Sequence, residues 1–219
     1  AAEHEECLLQ QTLFVFGGCA GGPRGRCFND IHALDTQTFA WSRVAADGTP
    51  PHPASKVACA SSGVNLAVFG GYAGRYSNAV HLFDGERRLW TRATPAGIAP
   101  KPRQGASLTR VASSYILIGG SDDVMPYNDV HVLSAATELV WSTPTVRCAP
   151  APCNLPSPRE GHSAALVGKK LWVYGGVGRV GRSYTSLGGL LYLDVDTYTW
   201  HDPAAQMQAM DMAPSARSM

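Results

Sequence analysis

The sequence has few charged residues and no excess of either sign. Only 16% of its 219 residues are Asp, Glu, Lys or Arg, and 18 basic residues against 17 acidic ones give a net charge of +1. Proteins that bind nucleic acids or membrane surfaces usually carry clustered positive charge that attracts phosphate groups. The composition therefore predicts no nucleic-acid partner.

Segments that direct a chain to a membrane are also missing. No apolar stretch approaches the roughly 18 residues that a spanning helix needs, so we predict no membrane insertion. The first nine residues, AAEHEECLL, lack the basic-then-apolar order of a signal peptide. No Asn-x-Ser/Thr acceptor occurs, and Cys7 and Cys59 lie in strand patterns where buried free thiols are common. We therefore expect a cytoplasmic, reducing location.

Local catalytic motifs are absent as well, including the Gly-x-Ser-x-Gly elbow and the His-Glu-x-x-His helix. Residues 176–181 do match Gly-x-Gly-x-x-Gly, but residues 182–189 are too short and glycine-rich for the helix that a dinucleotide site requires. We predict no catalytic residues, no metal site and no cofactor.

What the chain does contain is a fourfold repeat marked by glycine pairs and tryptophans. The pairs end apolar strands and are Gly17 and Gly18, Gly70 and Gly71, Gly119 and Gly120, and Gly175 and Gly176. A tryptophan follows the first glycine of each pair by 20 to 25 residues: Trp41, Trp90, Trp141 and Trp200. An interval of 49 to 59 residues between equivalent positions predicts a propeller or solenoid, in which each unit buries its apolar face against its neighbours.

The fourth repeat shows the organisation of one unit. Residues 158–167 and 171–174 read as two strands, a loop extends to Gly189, residues 190–194 form a third strand, and a fourth ends at Trp200. Four antiparallel strands joined by turns form one propeller blade. We place the blades at about residues 1–50, 51–101, 102–157 and 158–212, and residues 213–219 begin a fifth repeat.

The order of strand, glycine pair, Asn-Asp, Leu-Asp and tryptophan resembles the kelch repeat. The third strand recurs as NDIHALD, NAVHLFD and NDVHVLS, and linkers such as GTPPHPASK are similar to those of kelch proteins without a BTB domain, of the host cell factor, Rab-effector and cell-end-marker kind. The resemblance implies an all-β, kelch-type β-propeller with four blades of four antiparallel strands. Such propellers usually close with six or seven blades, so we expect a fragment of a larger ring; closure with four blades is the alternative.

Several recurring polar residues read as structural. His32, His81 and His131 occupy one strand position in successive repeats, and we place Tyr192 there in the fourth, which indicates packing and not a metal site. Arg103 precedes its glycine pair by sixteen residues, as Arg159 does, and we expect both to brace backbone carbonyls or a neighbouring acid. Aspartates that end the third strand favour a tight turn and are Asp35, Asp84 and Asp194.

The cysteines leave alternatives open. Cys148 and Cys153 lie five residues apart in a linker and could form a disulfide, a redox switch or half of a metal site. Cys19 and Cys27 share another loop.

The loops after the glycine pairs are the candidate binding surface, because loops carry function on a rigid scaffold. Their arginines, tyrosines and aspartates are residues suited to protein contacts, and we predict that they converge on one face. The candidates are Arg24, Arg26, Arg75, Tyr76, Asp122, Asp123, Tyr127, Arg179, Arg182 and Tyr184.

We therefore predict a non-catalytic scaffold that binds a partner protein or peptide, of acidic or mixed charge, through these loops. The alternatives are a substrate-recruiting subunit of a ubiquitin ligase and an enzyme that uses the central channel of the propeller.

Overall fold

The computed structural model describes residues 3–9, 12–20, 25–63, 65–150, 153–181 and 183–204, with the side chains of 3–9 and Val180 left out. This part of the chain forms 21 strands in four blade-like sheets and one separate hairpin, which confirms the predicted all-β fold. None of its segments is a helix long and apolar enough to cross a membrane.

The first blade has four antiparallel strands in chain order from the inner to the outer edge. They are β1 (Glu3–Leu9), β2 (Thr12–Ala20), β3 (Arg26–Asp35) and β4 (Trp41–Val44).

Each later blade repeats this order and adds a short fifth strand. The second contains β5 (Asp47–Gly48), β6 (Ala58–Ser62), β7 (Asn65–Phe69), β8 (Val80–Asp84) and β9 (Leu89–Ala93). The third contains β10 (Ala96–Gly97), β11 (Ser107–Val111), β12 (Ser114–Ile118), β13 (Val130–Ser134) and β14 (Val140–Ser142). The fourth contains β15 (Arg147–Ala149), β16 (Ser163–Val167), β17 (Lys170–Tyr174), β20 (Leu190–Asp194) and β21 (Thr199–His201).

The added strands come from the linkers between blades. β5, β10 and β15 pair in parallel with the outermost strands β9, β14 and β21. The linker thus crosses the outer edge of the next blade before it enters the innermost strand, and it covers backbone groups that an edge strand would leave unpaired. The inner strands β1, β6, β11 and β16 lie side by side in that order.

The loop predicted after the fourth glycine pair is in fact largely a hairpin. β18 (Val177–Val180) pairs with β19 (Ser183–Ser186) in antiparallel register. The first strand of this repeat is also shorter than predicted: β16 starts at Ser163, and Glu160 makes only an isolated bridge to Val177.

The glycine pairs are required where neighbouring blades meet. Gly70 and Gly119 have positive φ angles of 74° and 63°. A Cβ atom on Gly70 would lie 2.6 Å from the carbonyl oxygen of Arg103, and one on Gly119 would lie 2.7 Å from that of Arg159. The second glycine of each pair donates its N–H to the same carbonyl at 2.9 Å. Only glycine allows both the conformation and this close approach.

The apolar core lies between successive blades and not within any one of them. Trp90 of the second blade packs edge-on against Phe16 of the first, with ring centroids 5.3 Å apart. Trp141 of the third packs in the same way against Phe69 of the second, at 5.5 Å. Trp200 joins a cluster that includes Ile116 of the third blade. Each of these three tryptophans therefore closes the contact with the blade before it.

Trp41 is the exception, because no blade precedes the first one among the described residues. Its exposed fraction is 57%, whereas that of Trp141 is 3%.

We expect Trp141→Ala to lower the free energy of unfolding by roughly 3–5 kcal/mol, because it opens a cavity between two blades. In the 219-residue chain, Trp41→Ala, the same change at the equivalent position, should cost about 1 kcal/mol or less. Urea unfolding of the two variants checks this. Equal losses would contradict the exposed position of Trp41.

The recurring arginine braces its own blade, as expected. Arg103 is 1% exposed. Its guanidinium donates to Gly119 O at 2.8 Å and makes a bidentate pair with Asp129 at 2.6 and 2.9 Å. The ring of Tyr127 lies 4.1 Å from the guanidinium carbon. The buried charge is thus neutralised, hydrogen-bonded and stacked.

The other recurring polar residues also have structural partners. His131 contacts Asp129 at 2.9 Å and Thr143 at 3.0 Å. Our placement of Tyr192 at the equivalent position was wrong by one residue, because Leu191 pairs with Val173 as His131 pairs with Leu117. The strand-ending aspartates accept two backbone N–H groups each within their turns; they are Asp35, Asp84 and Asp194.

The described cysteines are all in disulfides, which corrects the expectation of a free thiol at Cys59. Cys19 and Cys27 face each other across β2 and β3, with an S–S distance of 1.93 Å. Cys148 and Cys153 are joined at 2.02 Å, so of the alternatives for this pair the structure has the disulfide. The side chain of Cys7 lies outside the described residues, and the cytoplasmic location stays a prediction.

Candidate functional site

The topology places the loops after the glycine pairs at one end of the blades. Successive antiparallel strands alternate direction, so the loops between second and third strands share an end with the linkers into the inner strands. We call this end the loop face; it consists of residues 72–79, 121–129 and 177–189 and these linkers. The short turns, such as 84–88, lie at the opposite end.

The loops of the second and third blades meet through a tyrosine and an aspartate. Tyr76 is hydrogen-bonded to Asp123, and its ring lies 4.9 Å from that of Tyr72. Burial and then the hydrogen bond to Asp123 raise the pKa of Tyr76 to about 12. The tyrosine therefore stays a hydrogen-bond donor at neutral pH and holds the two loops together.

Asp122 organises the loop of the third blade internally. Its carboxylate accepts the Tyr127 hydroxyl and the N–H groups of Val124 and Met125, the latter two at 2.8 and 3.0 Å. Burial and then this carboxylate raise the pKa of Tyr127 to about 12. Both aspartates of the loop are thus bonded to tyrosines and are already engaged within the protein.

The hairpin of the fourth blade is fixed to the same loop. Arg179 donates to Val124 O at 2.7 Å and to Gly181 O at 3.0 Å. Tyr184 lies opposite Arg179 in the hairpin register and is 56% exposed. The loops of three blades therefore form one connected surface.

The remaining candidates are placed differently. Arg75 is exposed on the loop of the second blade, and no carboxylate of the described residues pairs with it. Arg26 lies on the first blade, where its guanidinium is 5.6 Å from the ring of Phe28. Arg24 and Arg182 lie outside the described residues.

Sequence reasoning missed Glu160, which connects three blades on this face. Its carboxylate accepts Ser121 Oγ at 2.6 Å and Gln104 Nε2 at 3.2 Å, and it lies 4.0 Å from Lys56 Nζ. One sequence signal could have indicated this role: Gln104 and Glu160 each directly follow the recurring arginine, so they occupy equivalent positions in adjacent blades. A lone glutamate in a linker gives no other indication of such a role.

Backbone hydrogen bonds join the same linkers at their entry into the inner strands. Gly105 N–H donates to Lys56 O, and Gly161 N–H donates to Gly105 O, both at 2.8 Å. The floor of the loop face is therefore continuous from the second blade to the fourth.

His162 is buried beneath this floor. One ring nitrogen lies 2.8 Å from Ser107 Oγ, and Nδ1 has no hydrogen-bond partner in the described part of the chain. Burial, and then the positive charge of Arg159, lower the pKa of His162 to about 4. The imidazole is therefore neutral at physiological pH.

This shift predicts that stability falls as the pH drops from 6.5 to 4. The unfolded chain binds a proton at His162 near pH 6.5, whereas the folded chain does so only near pH 4. The loss reaches at most about 3 kcal/mol. Burial also lowers the pKa of His81, which contributes in the same direction.

His162→Gln should reduce the slope of unfolding free energy against pH in that interval, measured by urea unfolding at half-unit steps. His52→Gln, at an exposed site, is the control and should leave the slope as in the wild type. A His162→Gln slope equal to that of the wild type would contradict the buried neutral state.

Metal ligands do not gather on this surface. Within the described ranges no three His, Cys, Asp or Glu side chains form a group that could hold a metal ion. The geometry is that of a connected polar and aromatic surface on a rigid scaffold.

Taken together, repeated blades, interblade tryptophans and loops on one face define a β-propeller of the repeat type. The family model described as "KLHDC2/KLHL20/DRC7 Kelch-repeats domain" matches residues 1–155. The chain belongs to the Kelch-repeat family. Domains of this family are in general protein-interaction modules and not enzymes.

The chain is also similar to individual proteins along nearly its whole length. It is 32% identical over 213 residues to acyl-CoA-binding domain-containing protein 5 of Arabidopsis thaliana, covering 97% of this chain and 24% of that protein. Host cell factor 1 of Homo sapiens is 30% identical over 240 residues (99% and 11%). Kelch domain-containing protein 10 of Rattus norvegicus is 23% identical over 233 residues (99% and 55%).

The chain thus spans 11% to 55% of the length of these relatives. The predicted resemblance to kelch proteins, including host cell factor, is confirmed.

Proposed function

We propose that this chain is a non-catalytic interaction module that binds a segment of a partner protein on its loop face. The observation that supports this most is the connection of three loops into one surface. Tyr76 to Asp123 joins the second and third loops, and Arg179 to Val124 joins the third and fourth. A surface fixed in this way can bind a partner without first ordering its own loops, which lowers the entropic cost of binding.

The exposed side chains indicate the chemistry of the partner. Asp122 and Asp123 are engaged by tyrosines, so their charge is partly shielded from a ligand. Arg75 is exposed and unpaired among the described residues, and Tyr184 offers an exposed ring. An arginine fork suits a carboxylate or phosphate, and a tyrosine ring suits an apolar side chain. We therefore propose an acidic or mixed-charge segment as the ligand.

Arg75→Glu tests this most cleanly, because Arg75 is exposed and no ion pair of the described residues would be lost with it. We expect at least about tenfold weaker capture of the specific partner, with the melting temperature within about 1 °C of the wild type. Arg179→Glu is less suitable, because it also breaks the bond to Val124 O and should loosen the hairpin.

The measurement is affinity purification of the full-length protein from its own cells, with quantitative mass spectrometry of wild type and variants. The matched control is Arg88→Glu, the same charge change on an exposed side chain at the opposite end of the second blade, which takes part in none of the ion pairs of the described residues. A partner lost with Arg75→Glu and retained with Arg88→Glu supports the loop face. Partners retained in both variants would exclude it.

A further inference from the structure

From blade to blade, the residue at the position of Arg103 changes together with the residue at the position of Asp129. In the third blade these residues are Arg103 and Asp129, which form the bidentate pair. In the second blade they are Ala54 and Ala79, so both members are missing together. In the third blade the buried charge has a counter-charge, and in the second blade there is no charge at either position.

The first blade has the acid alone, and its charge is compensated in another way. Asp30 is equivalent to Asp129, because Ile31 pairs with Phe16 as Val130 pairs with Ile118. The position of Arg103, sixteen residues before the glycine pair, is here Ala1, which lies outside the described residues. The Asp30 carboxylate lies 4.0 Å from His32 and from Arg43 instead.

The fourth blade has the arginine without the acid. Leu190 pairs with Tyr174 as Val130 pairs with Ile118, so Gly189 occupies the position of Asp129. Gly188 likewise replaces Asn128, whose amide donates to Pro156 O at 3.0 Å.

Arg159 therefore carries a buried charge without the aspartate that pairs with the equivalent arginine in the third blade. It is 5% exposed and donates to Ser157 O at 3.2 Å and to Gly175 O at 3.0 Å. No described carboxylate forms an ion pair with it. Burial lowers the pKa of its guanidinium, which reflects the lack of a counter-charge. An unpaired buried cation is costly, and a ligand anion would remove that cost.

The space that the acid would fill is an open cavity. It has a volume of about 600 Å³ and is lined by Arg159, Gly189, Leu191 and Trp200, with the Cys148–Cys153 disulfide in its wall. Its polar groups include Asn154, Ser157, His201 and one acid, Asp202. A volume of this size accommodates a small molecule or a peptide side chain with its backbone.

We propose that this cavity binds a carboxylate, held by Arg159 as Asp129 is held by Arg103. The fork geometry of Arg103 shows which ligand shape the position accepts, namely two oxygens in one plane. A singly charged carboxylate balances the single positive charge of Arg159, which a doubly charged group such as phosphate would exceed. The inference does not depend on the proposed interaction role, because a free carboxylate tests the site alone.

The first test is thermal unfolding of the intact protein in sodium acetate against sodium chloride at equal ionic strength. We expect a saturable rise of roughly 3–5 °C at ten times the dissociation constant of acetate. Equal melting curves in the two salts would overturn the proposal.

Two variants at Gly189 locate the effect. Gly189 has a φ of 85°, and a Cβ atom there meets no heavy atom within 4 Å. Gly189→Asp and Gly189→Asn therefore carry the same backbone strain and side-chain size and differ only in charge. The aspartate should supply the missing carboxylate, raise the melting temperature relative to the asparagine variant and abolish the acetate response. An acetate response that persists in Gly189→Asp would place acetate elsewhere.

Arg159→Lys keeps the positive charge and loses the fork, so it should weaken the acetate response at least severalfold. An unchanged response would also contradict the assignment to Arg159.

Calorimetric titration then distinguishes a free carboxylate from one carried by a protein segment. The probes are acetate, N-acetyl-aspartate N-methylamide and the matching asparagine derivative. Aspartyl binding at least tenfold tighter than acetate assigns the site to a partner side chain, and equal or weaker binding assigns it to a small free carboxylate. Equal affinity for the aspartyl and asparaginyl probes, together with no heat from acetate, would overturn the site altogether.

Discussion

The contact on which the rest of the structure depends is the passage of one blade's linker over the glycine pair of the blade before it. The Arg103 carbonyl lies against Gly70 and Gly71, and the Arg159 carbonyl lies against Gly119 and Gly120. Because this approach fixes the distance and angle between blades, it also determines how deeply each interblade tryptophan is buried. A side chain at the first glycine would separate the blades and expose their apolar faces.

The same contact explains why the loop face is rigid. The arginine whose carbonyl contacts the preceding blade uses its side chain to hold the carbonyl of its own glycine pair, Gly119 or Gly175. The next residue, Gln104 or Glu160, then points into the polar network around Ser121. Scaffold and candidate surface are thus built from adjacent residues, so a loop substitution that spares these linkers can change binding without unfolding the blades.

The sequence was sufficient to predict features that repeat and insufficient for those that occur once. Glycine pairs, strands, turn aspartates and the bracing arginine recur with fixed spacing, so each copy supports the assignment of the others. The hairpin at 177–186, the network of Glu160 and the pairing of Cys19 with Cys27 each occur once and depend on side chains that meet only after folding. The one-residue error at Tyr192 has the same origin, because Gly188 replaces the asparagine that marks the register in the other repeats, namely Asn29, Asn78 and Asn128.

The places where a repeat departs from its own pattern are therefore the informative ones for function. A repeat protein keeps its fold if both members of a structural pair are lost together, as Ala54 and Ala79 illustrate, since no charge is then buried alone. The fourth blade keeps Arg159 but has lost the equivalent of Asp129. It therefore bears the free-energy cost of burying a guanidinium without the ion pair that offsets this cost in the third blade. Arg159 still holds the Gly175 carbonyl, so its retention serves the fold, and the proposed ligand would supply the charge that the fourth blade has lost.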